Sequence, residues 1–279
     1  MLNYPGKMVQ FINTLSLTPT VNDWLVNSRH PRILHVFDQV CNLLNEHRDV
    51  LLIVTQQIGN GPFNLVVEKD ILFSNHLNIE SLIFIRADQL QLGDLIINTA
   101  NAEPWSPRPN WKMLHAKRED IKNQLIALPV TNYELPMPAQ LLSTFSASIA
   151  TVDLSSSLIA TRKLAGLGIG LTPSGDDFIL GAIYAAWIIH PFETARLLAE
   201  EITNIAAPLT TSLSAAWLRS AGRGEAGILW HQFFEALISH DPIQIKKTTD
   251  KILTIGETSG ADALAGFIGS FVAWYKVDH

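Results

Sequence analysis

Apolar and polar residues follow two rhythms along this chain, and the change comes near the middle. In the first part, short β-branched and aliphatic runs are separated by turn formers: residues 50–55 (VLLIVT), 63–68 (FNLVVE), 81–86 (SLIFIR) and 95–99 (LIINT). The cluster Gly59-Asn60-Gly61-Pro62 predicts a hairpin between the first two, and Gly93-Asp94 turns the chain into the last. Strands at this spacing predict a small sheet or barrel. Ahead of them, Ile33, Val36, Phe37, Val40, Leu43 and Leu44 fall at helical spacing, which predicts a helix over 33–46 with Cys41 on its apolar face.

Pro104, Pro107 and Pro109 then interrupt the pattern, and residues 112–128 have the spacing of an amphipathic helix. A second Pro-rich stretch, 129–138, is the expected boundary. Beyond it the chain reads as helices over 139–150, 155–165, 174–189, 192–206, 209–221, 225–239, 242–255 and 259–276. Asp241-Pro242 has the form of an N-cap followed by proline at the first helical position. The expected class is α+β, with a β-rich domain over 1–130 and a helical domain over 139–279.

The helical part contains a repeat. Residues 174–183 (SGDDFILGAI) match 259–268 (SGADALAGFI) in the pattern S-G-x-D-x-x-x-G-x-I, offset by 85 residues. One explanation is structural. Ser followed three residues later by an acid is a capping box, so Ser174 with Asp177, and Ser259 with Asp262, would satisfy the first amides of two helices. Gly181 and Gly266 would then mark where those helices cross at close range. The other explanation is functional. A helix start carries partial positive charge and free N–H groups, and two brought together would bind an anion. The first is entered by the glycine loop 166–170 (GLGIG), where Gly168 and Gly170 let backbone approach a ligand. Gly175 and Gly260 occupy the same place in the two copies. Asp176, which the second copy replaces with Ala261, points about 100° away from Asp177 and has no assignment as a cap.

Composition narrows the field. Hydrophobic residues make up 47% of the 279, and charged residues only 16%. That excludes disorder and requires a large core, a subunit interface or both. The net charge is −6 and no Lys/Arg run exceeds two, which argues against a nucleic-acid partner. The longest apolar run, 178–189, has twelve residues, where a membrane span needs about twenty. Residues 1–17 lack the cleavage site of a signal peptide, and the single cysteine suits a reducing compartment, so a cytoplasmic setting is expected.

Named motifs are absent. The glycine loop lacks Rossmann spacing, there is no G-K-[ST], and no G-x-S-x-G elbow surrounds Ser174 or Ser259. Nine histidines are scattered without zinc spacing. Mg²⁺ at Asp176-Asp177 is a minor alternative, so no metal or cofactor is expected.

At 166–183 and 256–271 the chain resembles the AllH-like family, which includes a subunit of bacterial oxamate carbamoyltransferase found with purine and allantoin breakdown genes. The resemblance rests on 168–177 (GIGLTPSGDD) and 256–267 (GETSGADALAGF), and more loosely on 209–214 (LTTSLS) and Leu218-Arg219. It implies a phosphorolytic transfer, oxalurate plus phosphate giving oxamate plus carbamoyl phosphate, by an oligomer of different subunits. All four compounds are anions, and no redox cofactor is needed. The resemblance makes Asp176, Asp177 and Arg219 the catalytic candidates. Gly168, Gly170, Thr172, Ser174, Gly175, Thr211, Ser212, Arg223, Ser259, Gly260 and Asp262 are the candidate ligand contacts, with Thr210 a further hydroxyl. Asp176 would accept hydrogen bonds from the carbamoyl NH₂, and Arg219 and Arg223 would hold a carboxylate or phosphate. The alternative is a non-catalytic scaffold or ligand-sensing subunit of the same complex.

Overall fold

The computed structural model describes residues 9–127 and 135–277. The chain divides into two compact units, 1–107 and 108–279. Residues 129–134 of the expected boundary lie outside the described residues, as do Leu128 and residues 1–8.

The first unit is a nearly closed, barrel-like sheet. Its strands are β1 (Gln10–Leu17), β2 (Arg32–Val36), β3 (Val40–Leu44), β4 (Val50–Val54), β5 (Asn64–Val67), β6 (Ile83–Arg86), β7 (Gln89–Leu92), β8 (Leu95–Asn98) and β9 (Glu103–Pro104), with helix α1 (Pro19–Asn27) after β1. Their order is β2-β3-β4-β5-β1-β8-β7-β6, and β9 pairs with β1. Two expectations are corrected. The helix over 33–46 is the β2–β3 hairpin, turned where the Phe37 amide donates to the Val40 carbonyl at 2.8 Å. β-Branched Ile33, Val36 and Val40 favour strand, and the pairing of β3 with β4 overrides their helical spacing. Cys41 is therefore a buried strand residue, its thiol pushed up to about 12 by burial. Nor do β4 and β5 form a hairpin: they run parallel. All their residues are buried, and their unbroken apolar runs are those of strands covered on both faces.

The second unit is mostly helical, and its described residues form α2 (Trp111–Ala116), α3 (Arg118–Ala127), α4 (Ala139–Thr151), α5 (Leu154–Leu164), α6 (Ser174–Ile189), α7 (Phe192–Ala206), α8 (Ser212–Gly222), α9 (Ile228–Ser239), α10 (Pro242–Ile252) and α11 (Ser259–Val277). The helix expected over 112–128 is interrupted at Lys117. Every residue of α6 is buried, which accounts for the longest apolar run. Tyr184, at its middle, packs against Trp111, Trp230 and Phe234. Among the described residues no helix is long and apolar enough to cross a membrane.

The repeat is larger than its motif. Helix α4 ends on Val152 and α9 on His240, both left-handed, at φ 59 and 54. Each is followed by an aspartate N-cap, Asp153 for α5 and Asp241 for α10. So α4–α5–α6 and α9–α10–α11 are two copies of one three-helix unit. The offset between copies is 88 residues at these caps and 85 at the glycines, so the loop before α6 is three residues longer than the loop before α11.

Helices α6 and α11 cross with reciprocal close contacts. A Cβ on Gly181 would lie 1.8 Å from the Ala263 carbonyl oxygen, and one on Gly266 would lie 2.0 Å from that of Phe178. Phe178 and Ala263 are themselves equivalent positions, so the crossing sits on a local two-fold axis. Only glycine permits this approach.

Candidate functional site

The crossing brings the two helix starts together. The hydroxyls of Thr172, in the loop before α6, and Ser259, the first residue of α11, hydrogen-bond at 2.8 Å. Beneath these half-buried hydroxyls lie Asp177 and Asp262. Asp262 is fully buried and neither of its carboxyl oxygens has a hydrogen-bond partner; Oδ2 of Asp177 is likewise buried without one. Burial pushes the Asp177 carboxyl up to about 8, against the pull of the Ser259 hydroxyl and with a further push from the Asp262 and Asp176 charges. Asp177 is therefore largely protonated at neutral pH.

The capping boxes do not form. Pro173 takes the N-cap position of α6, which makes Ser174 the first helical residue, and no side chain caps that end. Proline has no N–H for an acid to bind in return. Asp262, without any partner, makes no box either. The helix-start amides are also less free than expected. Those of Asp176 and Asp177 both donate to the Pro173 carbonyl, Gly175 N–H to Leu167 O at 2.8 Å, and Gly260 N–H to Ile255 O at 3.1 Å. The dipoles of α6 and α11 still direct their positive ends here. The groups that reach the surface here are the half-buried hydroxyls of Thr172 and Ser259, with the two carboxyls buried behind them.

Asp176, expected to meet the carbamoyl NH₂, is instead engaged by the protein's own donors. It accepts hydrogen bonds from the Gly166 amide at 2.8 Å, from the Ser214 hydroxyl at 2.8 Å and from the Thr210 hydroxyl. Burial raises its carboxyl above the usual range, opposed by these donors. It ties the start of α6 to the glycine loop and to the start of α8. Thr211 completes that tie: its hydroxyl donates to the Leu171 carbonyl at 2.5 Å and accepts from the Ser214 amide at 3.1 Å, capping α8. Ser212 is the first residue of α8.

The glycines differ in what they do. A Cβ on Gly175 or Gly260 would strike the last carbonyl of the preceding helix, Leu164 or Ile252, so both are needed for packing. Gly168 sits close to the Ser174 amide, whereas Gly170 faces open space and Ile169 between them is 95% exposed.

The structure does not bring Arg219 and Arg223 to this junction. They lie toward the other end of α8 from Ser214 and line a cavity of about 420 Å³ with Arg108, Trp111 and Trp187. Trp187 is ten residues beyond Asp177 on α6, which puts the cavity roughly 15 Å along that helix. Sequence spacing could not separate the two places, because one α8 carries Ser214 at its start and Arg219 toward its end. Residues missed at the sequence level are Ser214, within the loosely matching 209–214 run, and Trp111, Trp187 and Arg108, which no motif marked. Among the described residues no cluster of three or more His, Cys, Asp or Glu side chains is placed to hold a metal ion.

Residues 164–271 match the family described as oxamate carbamoyltransferase subunit AllH, and residues 13–104 match the AllH family N-terminal domain. No solved structure matches the chain.

Proposed function

The chain belongs to the AllH family, and from that premise we propose that it assists phosphorolytic carbamoyl transfer at the α6–α11 junction, as one subunit of a cytoplasmic assembly. In that reaction an oxygen of hydrogenphosphate attacks the carbamoyl carbon of oxalurate. The C–N bond breaks, and the departing nitrogen must take up a proton to become the neutral amide of oxamate. A carboxylic acid kept protonated near neutral pH is suited to supply it. Asp177 is such an acid. It gives its proton to the leaving nitrogen and recovers one from the attacking hydrogenphosphate, so protons balance over the cycle. The hydroxyls of Thr172 and Ser259 donate to the oxygen on which charge builds. Asp262 accepts from the carbamoyl NH₂, the role first expected of Asp176, whose oxygens already serve Gly166, Thr210 and Ser214.

The observation that carries this reading is the pair of buried carboxyls with unpartnered oxygens beneath two hydroxyls, assembled from equivalent positions of a duplicated unit. The test is carbamoyl phosphate formation from oxalurate and phosphate by the reconstituted assembly. Asp177→Asn is expected to lower kcat by about 100-fold or more. With the wild-type chain, kcat should decline as pH rises through about 8. Full kcat in the Asn variant, or turnover by the partner subunits without this chain, removes the role.

A further inference from the structure

We infer that the cavity at the far end of α6 and α8 is a second binding site, for a small organic anion with a planar body. This inference does not rest on the carbamoyl-transfer reading. Four arginines line the cavity, against one acidic residue, Glu200. They come from three segments: Arg108 precedes α2, Arg196 is on α7, and Arg219 and Arg223 belong to α8 and its C-cap. Two are anchored. Arg223 makes two bonds to buried Glu225, at 2.7 and 3.2 Å, and Arg196 pairs with Glu193 and Glu200. Arg108 and Arg219 make no ion pair or side-chain hydrogen bond among the described residues. Unpaired guanidinium forks that converge on a hollow match the two oxygens of a carboxylate or phosphate.

A purely structural explanation would have these arginines neutralise the carbonyls at the end of α8. That end is served by other groups. The Trp187 indole N–H donates to Ala221 O at 2.9 Å and that of Trp111 to Gly224 O at 2.8 Å. These bonds also fix the two indoles, which stack with centroids 5.9 Å apart and an interplanar angle of 24°. The two indoles are almost fully buried, and the 57% exposed ring of Phe192, centred 5.4 Å from that of Trp187, gives the cavity its open aromatic side beside the unpaired arginines. A volume of about 420 Å³ lies within the roughly 300–1,000 Å³ of small-molecule sites. A flat molecule with an oxyanion head fits both halves of this lining.

Titration calorimetry on the full chain tests the site. Benzoate and phenyl phosphate serve as planar anions, and acetate and inorganic phosphate as the same heads without the body. At least one planar anion should bind about tenfold tighter than its headgroup alone, and the tighter of the two identifies the preferred head. Arg108→Met and Arg219→Met should each weaken it by about tenfold or more; both variants should keep the wild-type circular dichroism. Asp177→Asn should leave this binding unchanged while lowering kcat by about 100-fold or more, so failure of one reading is separate from failure of the other. The site is rejected if neither planar anion binds, if acetate and phosphate bind as tightly as their planar counterparts, or if affinity survives loss of both arginines.

Discussion

Asp176 and Asp177 are adjacent, yet burial acts on them with different consequences. Asp176 is held by three donors; one oxygen of Asp177 is left without any. Sequence spacing made Asp177 a capping acid as well as a candidate and left Asp176 for the ligand, because box spacing assumes Ser174 at the N-cap. Pro173 occupies that place and moves every later residue one position into the helix. The difference has a measurable consequence. Burial raises Asp177 from its ordinary 3.8 to about 8, so the folded state holds this proton more tightly than the unfolded chain. Its contribution to stability is complete below about pH 4 and is lost as pH rises toward 8. Asp177→Asn removes that dependence. The melting temperature of the wild type should therefore fall relative to the Asn variant between about pH 6 and about pH 9, by calorimetry. A gap between the two that stays constant with pH contradicts the buried protonated carboxyl. Asp176→Ala should instead destabilise at both pH values, by about 2–4 kcal/mol, through loss of its hydrogen-bonded network.

At the scale of elements, the helices were legible and the sheet only in part. Residues 174–189 and 192–206 form helices with the expected bounds because proline precedes each start and the apolar spacing is unambiguous. The 33–46 segment failed because its six apolar positions keep helical spacing, and the pairing of β3 with its sequence neighbours β2 and β4 overrides that spacing. The 50–68 segment failed because turn chemistry shows where a chain bends and not which neighbour the next strand takes. The close crossing of α6 and α11 was readable from Gly181 and Gly266, since paired glycines four residues past equivalent acids have few other uses in long apolar helices. The reciprocity of that contact gives a sharp expectation. Gly181→Ala and Gly266→Ala each place a methyl within about 2 Å of a carbonyl in the partner helix. Relief requires the helices to part, against a core that surrounds α6 on all sides. Each variant should lose about 3 kcal/mol or more in urea unfolding, and the two should cost similar amounts. A loss under about 1 kcal/mol from either would mean that the crossing is looser than its geometry.

At the scale of the whole molecule, the two units have separate cores. One runs from Ile12 to Ile97 and the other from Trp111 to Trp274, with no residue in common. The helical unit also contains both halves of the three-helix repeat, the Asp177–Asp262 junction and every residue that lines the arginine–tryptophan cavity. Its central helix packs against elements of the same unit: α2, α4, α5, α7, α8 and α11, and through Tyr184 against α9. The hydrogen bonds and ring contacts named above for Asp176, Ser259 and Trp187 are all made with residues 108–279. A fragment of residues 108–279 should therefore fold alone, with a helical circular-dichroism spectrum and one cooperative thermal transition. It should bind the planar anions with the affinity of the full chain. A fragment that stays unfolded would show that the helical core draws its stability from the N-terminal unit. A folded fragment that loses the anions would overturn the cavity as built from the lining residues named above, all of which lie within 108–279.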